Sequence, residues 1–389
     1  MSFTSTEPAK SLIEDYARRM FSYRRPGRNT IPSLDGIRAI SISFVLISHI
    51  SLLYWNKWPH PFLVFSNLIG PFGVAVFFII SGFLITSLLK EEQRKTKSIS
   101  VGAFYRRRAV RILPAALVYI AIAACFSSTP VHAGQLAIVL SFATCYFYTQ
   151  MPVVLMHFWS LSVEEQFYLL LPWCLKARWS LDKAACWAAV IIAPLARYYC
   201  YRRGLSEVSH YFPAVMDDLA VGCLFGLYRE KLSKAVRASQ AAYLALASFG
   251  LSLLLTYCFD KYPIAGVWLG GLKATAIGVA ILTSVEVGFR ILNLGFVTWV
   301  GRLSYSIYLW QQFFLLQYMG GAGSKHVPLR LCAILVASIL SYYLIERPML
   351  KFKAPSARGG RSSESEVVAP RYEAGVANET QALKVGFAE

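Results

Sequence analysis

An arginine and a histidine eleven residues apart stand in the first long apolar stretch of the chain, LDGIRAISISFVLISH. At 100° per residue that spacing is three turns plus about 20°, so a helix carries Arg38 and His49 on one face, about 16 Å apart along its axis. An always-charged donor fork and a titratable imidazole on one face suit anion binding at one depth and proton or group transfer at another. Asp35, three residues before Arg38, is spaced to pair with it and hold it in place.

A second set lies in FYRRRAVRILP, where Arg108 and Arg111 share a helix face at the expected start of an apolar span. Arginine forks match phosphate oxygens, and a helix N-terminus at that point adds its own positive end. A bare arginine run there also serves as a positive-inside topology signal. The third set is HFWSLSVEEQFYLLLP. Two adjacent carboxylates at a span entrance, Glu164 and Glu165, must be solvated or paired. They could orient the His49 imidazole, act as a base or bind a sugar hydroxyl. Trp159, Phe167 and Tyr168 of the same segment suit an aromatic belt at the outer interface. In LIERP, Glu346 next to Arg347 reads most simply as a local ion pair. Gly73, Gly82, Gly222 and Gly226 permit close helix packing.

The elements that must position these groups are apolar. Of 389 residues 56% are hydrophobic and only 15% charged, with a mean hydropathy of +0.48, where a soluble globular chain has about 25% charged residues. Stretches long enough to cross a bilayer recur at about 36–54, 70–89, 109–127, 158–176, 184–201, 214–229, 240–258, 264–289, 303–320 and 329–346. The segment 134–148 is apolar but short, and reads as a re-entrant or interfacial helix. The expected fold is therefore all-α, a polytopic transmembrane bundle of about ten spans. Lys+Arg 39 against Asp+Glu 21 gives +18. With both termini placed in the cytoplasm, 27 basic residues fall on that side and 7 outside, the asymmetry expected of a membrane protein rather than of a nucleic-acid binder. Residues 1–33 form a basic cytoplasmic segment without a signal peptide, 34–350 the membrane domain, and 351–389 a cytoplasmic tail of disordered composition. The eight cysteines form no C-x-x-C pair and the six histidines no zinc-ligand spacing, so no metal is expected.

SLDGIRAISISFVLISH, FGVAVFFIISGFLITSLL, FYRRRAVRILP, HFWSLSVEEQFYLLLP, GRLSYSIYLW and LIERP resemble, in that order, the signature segments of the acyltransferase-3 family of integral-membrane acyltransferases. The resemblance runs over about residues 33–348 and matches the version without an appended esterase-like domain. It implies transfer of an acyl group, commonly acetyl, from cytoplasmic acyl-CoA to a hydroxyl of a cell-surface or lipid-linked carbohydrate, at a bacterial inner membrane. The family's Arg-x10-His maps onto Arg38 and His49, its Arg-x-x-Arg onto Arg108 and Arg111, and its acidic positions onto Glu164, Glu165 and Glu346. The resemblance would have Arg108 and Arg111 hold the CoA phosphates, with His49 as base or as transient acyl carrier. One position departs: after SYSIYLW many members have a His, and this chain has Gln311 and Gln312. Two other classes fit the buried charges, a transporter or flippase of a glycan or lipid intermediate and a structural subunit of a polysaccharide assembly. The chain shows no inverted repeat of the kind transporters carry.

Overall fold

A computed structural model describes residues 31–53, 59–176, 181–205, 208–316 and 326–352. Most of the basic N-terminal segment and nearly all of the C-terminal tail expected from the sequence lie outside these residues. The described residues form helices and turns with no strand. In chain order the long helices are α1 (Pro32–Leu53), α2 (His60–Thr96) and α3 (Val101–Phe126), then a short α4 (Ala133–Leu140). They continue as α5 (Phe158–Lys176), α6 (Leu181–Arg202), α7 (Phe212–Ala235) and α8 (Ala238–Lys261). The last are α9 (Pro263–Val287), α10 (Gly295–Gln311) and α11 (Val327–Leu340). A π-helical segment prolongs α10 over Gln312–Leu316, and another prolongs α11 over Ser341–Glu346.

The described part of each of the ten apolar stretches falls largely on a helix; residue 54 of the first and 317–320 of the ninth lie outside the described residues. Seven helices are long and apolar enough to cross a membrane by length and composition. The other three, α5, α7 and α10, carry much of the polar cargo described below. Large apolar side chains such as Ile191, Leu246, Trp268 and Leu344 remain exposed on the outside of the bundle, as a lipid-facing surface requires. The chain is thus an integral, multi-pass membrane protein.

The middle of the bundle is the crossing of α2 and α7. A Cβ on Gly82 would strike the backbone carbonyl of Leu219, and one on Gly222 that of Ile79, so each glycine lets the other helix's main chain come into contact. Around this crossing, apolar clusters join α2 to α3, α5, α6 and α7 on one side and to α1, α7 and α9 on the other.

Between α3 and α5 the chain does not cross. Helix α4 has eight residues, about 12 Å of rise, and short turns follow it to a break at His157. The backbone carbonyls of the break are satisfied by side chains from elsewhere: Tyr119 Oη donates to Val154 O at 2.7 Å and Gln312 Nε2 to Val153 O at 2.7 Å. Ser160 Oγ and Tyr308 Oη donate to His157 O at 3.1 and 3.2 Å. Irregular backbone inside a membrane protein persists only where protein groups take the place of water in this way.

Candidate active site

Two cavities lie inside the bundle. The smaller, about 170 Å³, is lined by Arg38 from α1, Ser81 from α2, Arg108 and Arg111 from α3, Glu164 from α5 and Tyr305 from α10. The larger, about 330 Å³, is lined among others by His49, Trp159, His210, Asp218, Lys273 and Gln312. Four side chains, Val74, Phe78, His157 and Tyr308, line both and so form a shared wall. Arg38 and His49 do occupy one side of α1, as their spacing required, but each serves a different cavity.

Three guanidiniums converge on the smaller cavity. Arg108 lies 4.0 Å above the Tyr168 ring centroid, with Nη2 3.9 Å from Glu164 Oε2. Its Nε is buried with no hydrogen-bond partner among the described residues. Tyr168 Oη donates to Glu164 Oε2 at 3.0 Å and is hydrogen-bonded to the Ser81 hydroxyl. Arg38 and Arg111 make no ion pair among the described residues. Among the described residues the three guanidiniums have no close ion pair beyond the loose Arg108–Glu164 contact, with Glu165 and Glu346 further off, so an anion would complete the set. The apolar remainder of the lining, from Phe77, Leu84 and Leu161 among others, suits an uncharged chain attached to that anion.

Helix α3 starts at Val101, eight residues before the expected span. Arg108 and Arg111 therefore sit two to three turns inside it, beyond the first turn in which a helix terminus acts on an anion. Their anion affinity comes from the forks alone. Glu164 is likewise not at an entrance beside His49: it faces the arginine cavity. Glu165 lines neither cavity, and its Oε1 is buried without a partner among the described residues. Tyr168 and Phe167 are buried, and Trp159 packs on Phe78 and edge-on to His210. None of these three forms an interfacial belt, because the polar groups of α5 turn its aromatic face inward.

In the larger cavity His49 Nδ1 and Gln311 Oε1 are 3.0 Å apart. With the amide oxygen facing the ring, Nδ1 carries the proton and Nε2 keeps its lone pair. The imidazole is thereby fixed in the tautomer a general base needs. The position that departs from the resembled pattern is thus the one that orients His49, a task the sequence had left to the carboxylates. Its neighbour Gln312 is spent on the Val153 carbonyl. On the far side, Lys273 Nζ is 3.2 Å from Asp218 Oδ2, while the other carboxylate oxygen is buried without a partner among the described residues. His210 stacks on Tyr148 at 3.8 Å between centroids. Burial pushes its pKa down to about 4, which leaves a flat, neutral ring on the cavity wall. Behind it, Arg197 holds Asp217 at 2.9 Å and donates to the Ala214 and Val267 carbonyls.

Glu346, at the end of the second π segment, accepts from Ser306 and, at 3.5 Å, from Ser341. It does not pair with Arg347, whose guanidinium lies over the Tyr343 ring. The extra residue of the π turn carries the carboxylate inward toward α10. Asp35 is half-buried at the start of α1, where Gly301 of α10 packs onto its carbonyl.

The sequence reading assigned nothing to His157. It is buried, and neither ring nitrogen has a hydrogen-bond partner among the described residues. A lone histidine has no spacing to flag it. The available signal was its place five residues after Pro152 and at the very start of an apolar helix.

The model of the acyltransferase domain family matches residues 31–347. The chain belongs to the acyltransferase-3 family. It is 26% identical over 365 residues to a putative peptidoglycan O-acetyltransferase of Bacillus subtilis, with 82% of this chain and 55% of the relative covered. It is 28% identical over 369 residues to an O-acetyltransferase of Staphylococcus aureus, covering 83% and 58%. With a peptidoglycan O-acetyltransferase of Listeria monocytogenes it shares 27% identity over 328 residues, covering 74% and 49%. The chain therefore spans about half the length of the curated relatives it matches. No solved structure matches it.

Proposed function

We propose that this family member is a membrane-embedded O-acetyltransferase, taking an acetyl group from acyl-CoA and esterifying a hydroxyl of a cell-surface or lipid-linked carbohydrate. The observation that carries the reading is the pairing of compartments: an arginine-lined cavity separated by four side chains from one that holds an oriented imidazole. Arg108, Arg111 and Arg38 bind the donor's phosphates, entering from the cytoplasmic side. The apolar lining beside them takes the pantetheine arm. His49 Nε2 accepts the proton of the attacking hydroxyl. The names of the relatives make peptidoglycan glycan the first acceptor to try.

The test is transfer of labelled acetyl from acetyl-CoA to glycan strands by the purified chain in lipid nanodiscs. His49→Ala is expected to lower turnover by about 10²–10⁴-fold, the usual contribution of a general base. Arg111→Gln should raise the donor's KM. A folded His49→Ala protein that turns over normally removes His49 from the reaction.

A further inference from the structure

We infer that His157 is the nucleophile that carries the acyl group between the two cavities, and that His49 acts on the acceptor alone. The inference rests on the acetyltransferase reading above and deepens it. His49 lines only the larger cavity, and the three arginines line only the smaller. A thioester on a donor anchored on those arginines meets the four shared residues before it reaches His49. Of the four wall residues, Val74 and Phe78 have no nucleophile. The Tyr308 hydroxyl is engaged by Ser160 at 2.7 Å and by the His157 carbonyl. That leaves one imidazole, lining both cavities, with two nitrogens that have no hydrogen-bond partner among the described residues.

Its surroundings fix the main chain and leave the ring to react. The His157 carbonyl takes two hydroxyl donors, so the break cannot wind into α5. The ring is held edge-on to Tyr119 at 5.2 Å and to Tyr308 at 5.7 Å between centroids. An aromatic cage of this kind restricts ring rotation without consuming a nitrogen lone pair.

The chemistry balances in two steps. One ring nitrogen attacks the thioester carbonyl of the donor; a C–N bond forms, the C–S bond breaks, and the departing thiolate takes the proton from the other nitrogen. The acceptor hydroxyl then attacks the acyl-imidazole from the larger cavity. His49 Nε2 takes the hydroxyl proton, a C–O bond forms and the C–N bond breaks. The proton returns from His49 to His157. No redox partner or metal enters either step.

The experiment incubates the purified chain in nanodiscs with [14C]acetyl-CoA, first without acceptor and then with glycan strands. Without acceptor, the wild type should take up protein-bound label that neutral hydroxylamine releases and that peptide mapping places on His157. His49→Ala should keep this label and fail to pass it on. His157→Gln and His157→Ala should lose both label and transfer, by at least about 10³-fold as for removal of a nucleophile. Transfer at the wild-type rate by either His157 variant overturns the inference and leaves the acetyltransferase reading intact. So does label mapped to another residue in the wild type, a result that needs no variant to fold. If the wild type neither consumes acetyl-CoA nor acetylates glycan, the parent reading fails, and this one with it.

Discussion

At the residue scale, the site is decided by which partner each polar atom has. Gln311 gives His49 its tautomer, so Gln311→Leu should lower kcat with little effect on the acceptor's KM. The loss expected is about fivefold, the worth of one net hydrogen bond of about 1 kcal/mol. Steady-state acetyl transfer at saturating donor measures it, and an unchanged kcat would show that His49 is held in place by packing. Some of this was legible in the sequence. The eleven-residue interval put Arg38 and His49 on one face because helical periodicity alone determines it. The interval could not say that two cavities divide that face, because a cavity wall is made by residues of other helices. Glu164 shows the same limit from the other side: its type and its neighbour were plain, but which cavity it faces depends on how deep α5 lies against α3. His157 was barely legible: its place at the start of an apolar helix was visible, but that its ring nitrogens lack partners among the described residues was not.

At the scale of the element, the two π segments, the broken stretch before α5 and the glycine crossing do the positioning. Both π segments end at or begin beside a polar group of the site, Gln311–Gln312 in one and Glu346 in the other. An inserted residue in a helix re-aims the side chains that follow it, and no hydrophobic pattern announces it. The glycines were legible, because small residues facing each other across apolar helices have few other uses. The buried Arg197–Asp217 pair joins α6 to α7 and, through the Val267 carbonyl, to α9. Removing one partner strands the other charge in the bundle. Asp217→Ala should therefore destabilise the protein by about 3–5 kcal/mol, and adding Arg197→Met should recover much of the loss. Thermal unfolding in detergent reads both. A double variant no more stable than Asp217→Ala would mean that the arginine's carbonyl contacts matter more than its charge.

At the scale of the whole molecule, the positive-inside count and the helix order predict a sidedness. Ser98, between α2 and α3, should face the cytoplasm, and Ser128, after α3, the opposite side. In a cysteine-free background, Ser128→Cys in intact cells should react with an impermeant maleimide and Ser98→Cys should react only after lysis. The reverse pattern would invert every assignment of donor and acceptor side. The all-α, multi-pass plan was the most legible feature of all, because bilayer thickness imposes a length that composition alone reveals. The three helices least apolar by that measure, α5, α7 and α10, supply Glu164, Asp218, Tyr308 and Gln311. Chemistry has been placed in the helices that hydropathy recognises least well.

The four-residue wall has one more consequence, and it is bioenergetic. A membrane that stores energy as a proton gradient is drained by any continuous wet path, and a bundle with arginines, carboxylates and two internal cavities holds most of the parts of one. Val74, Phe78, His157 and Tyr308 stand between the two cavities and place mostly apolar surface across that path. Under the function proposed above, acetyl transfer across the bundle would then proceed without draining the gradient that powers everything else.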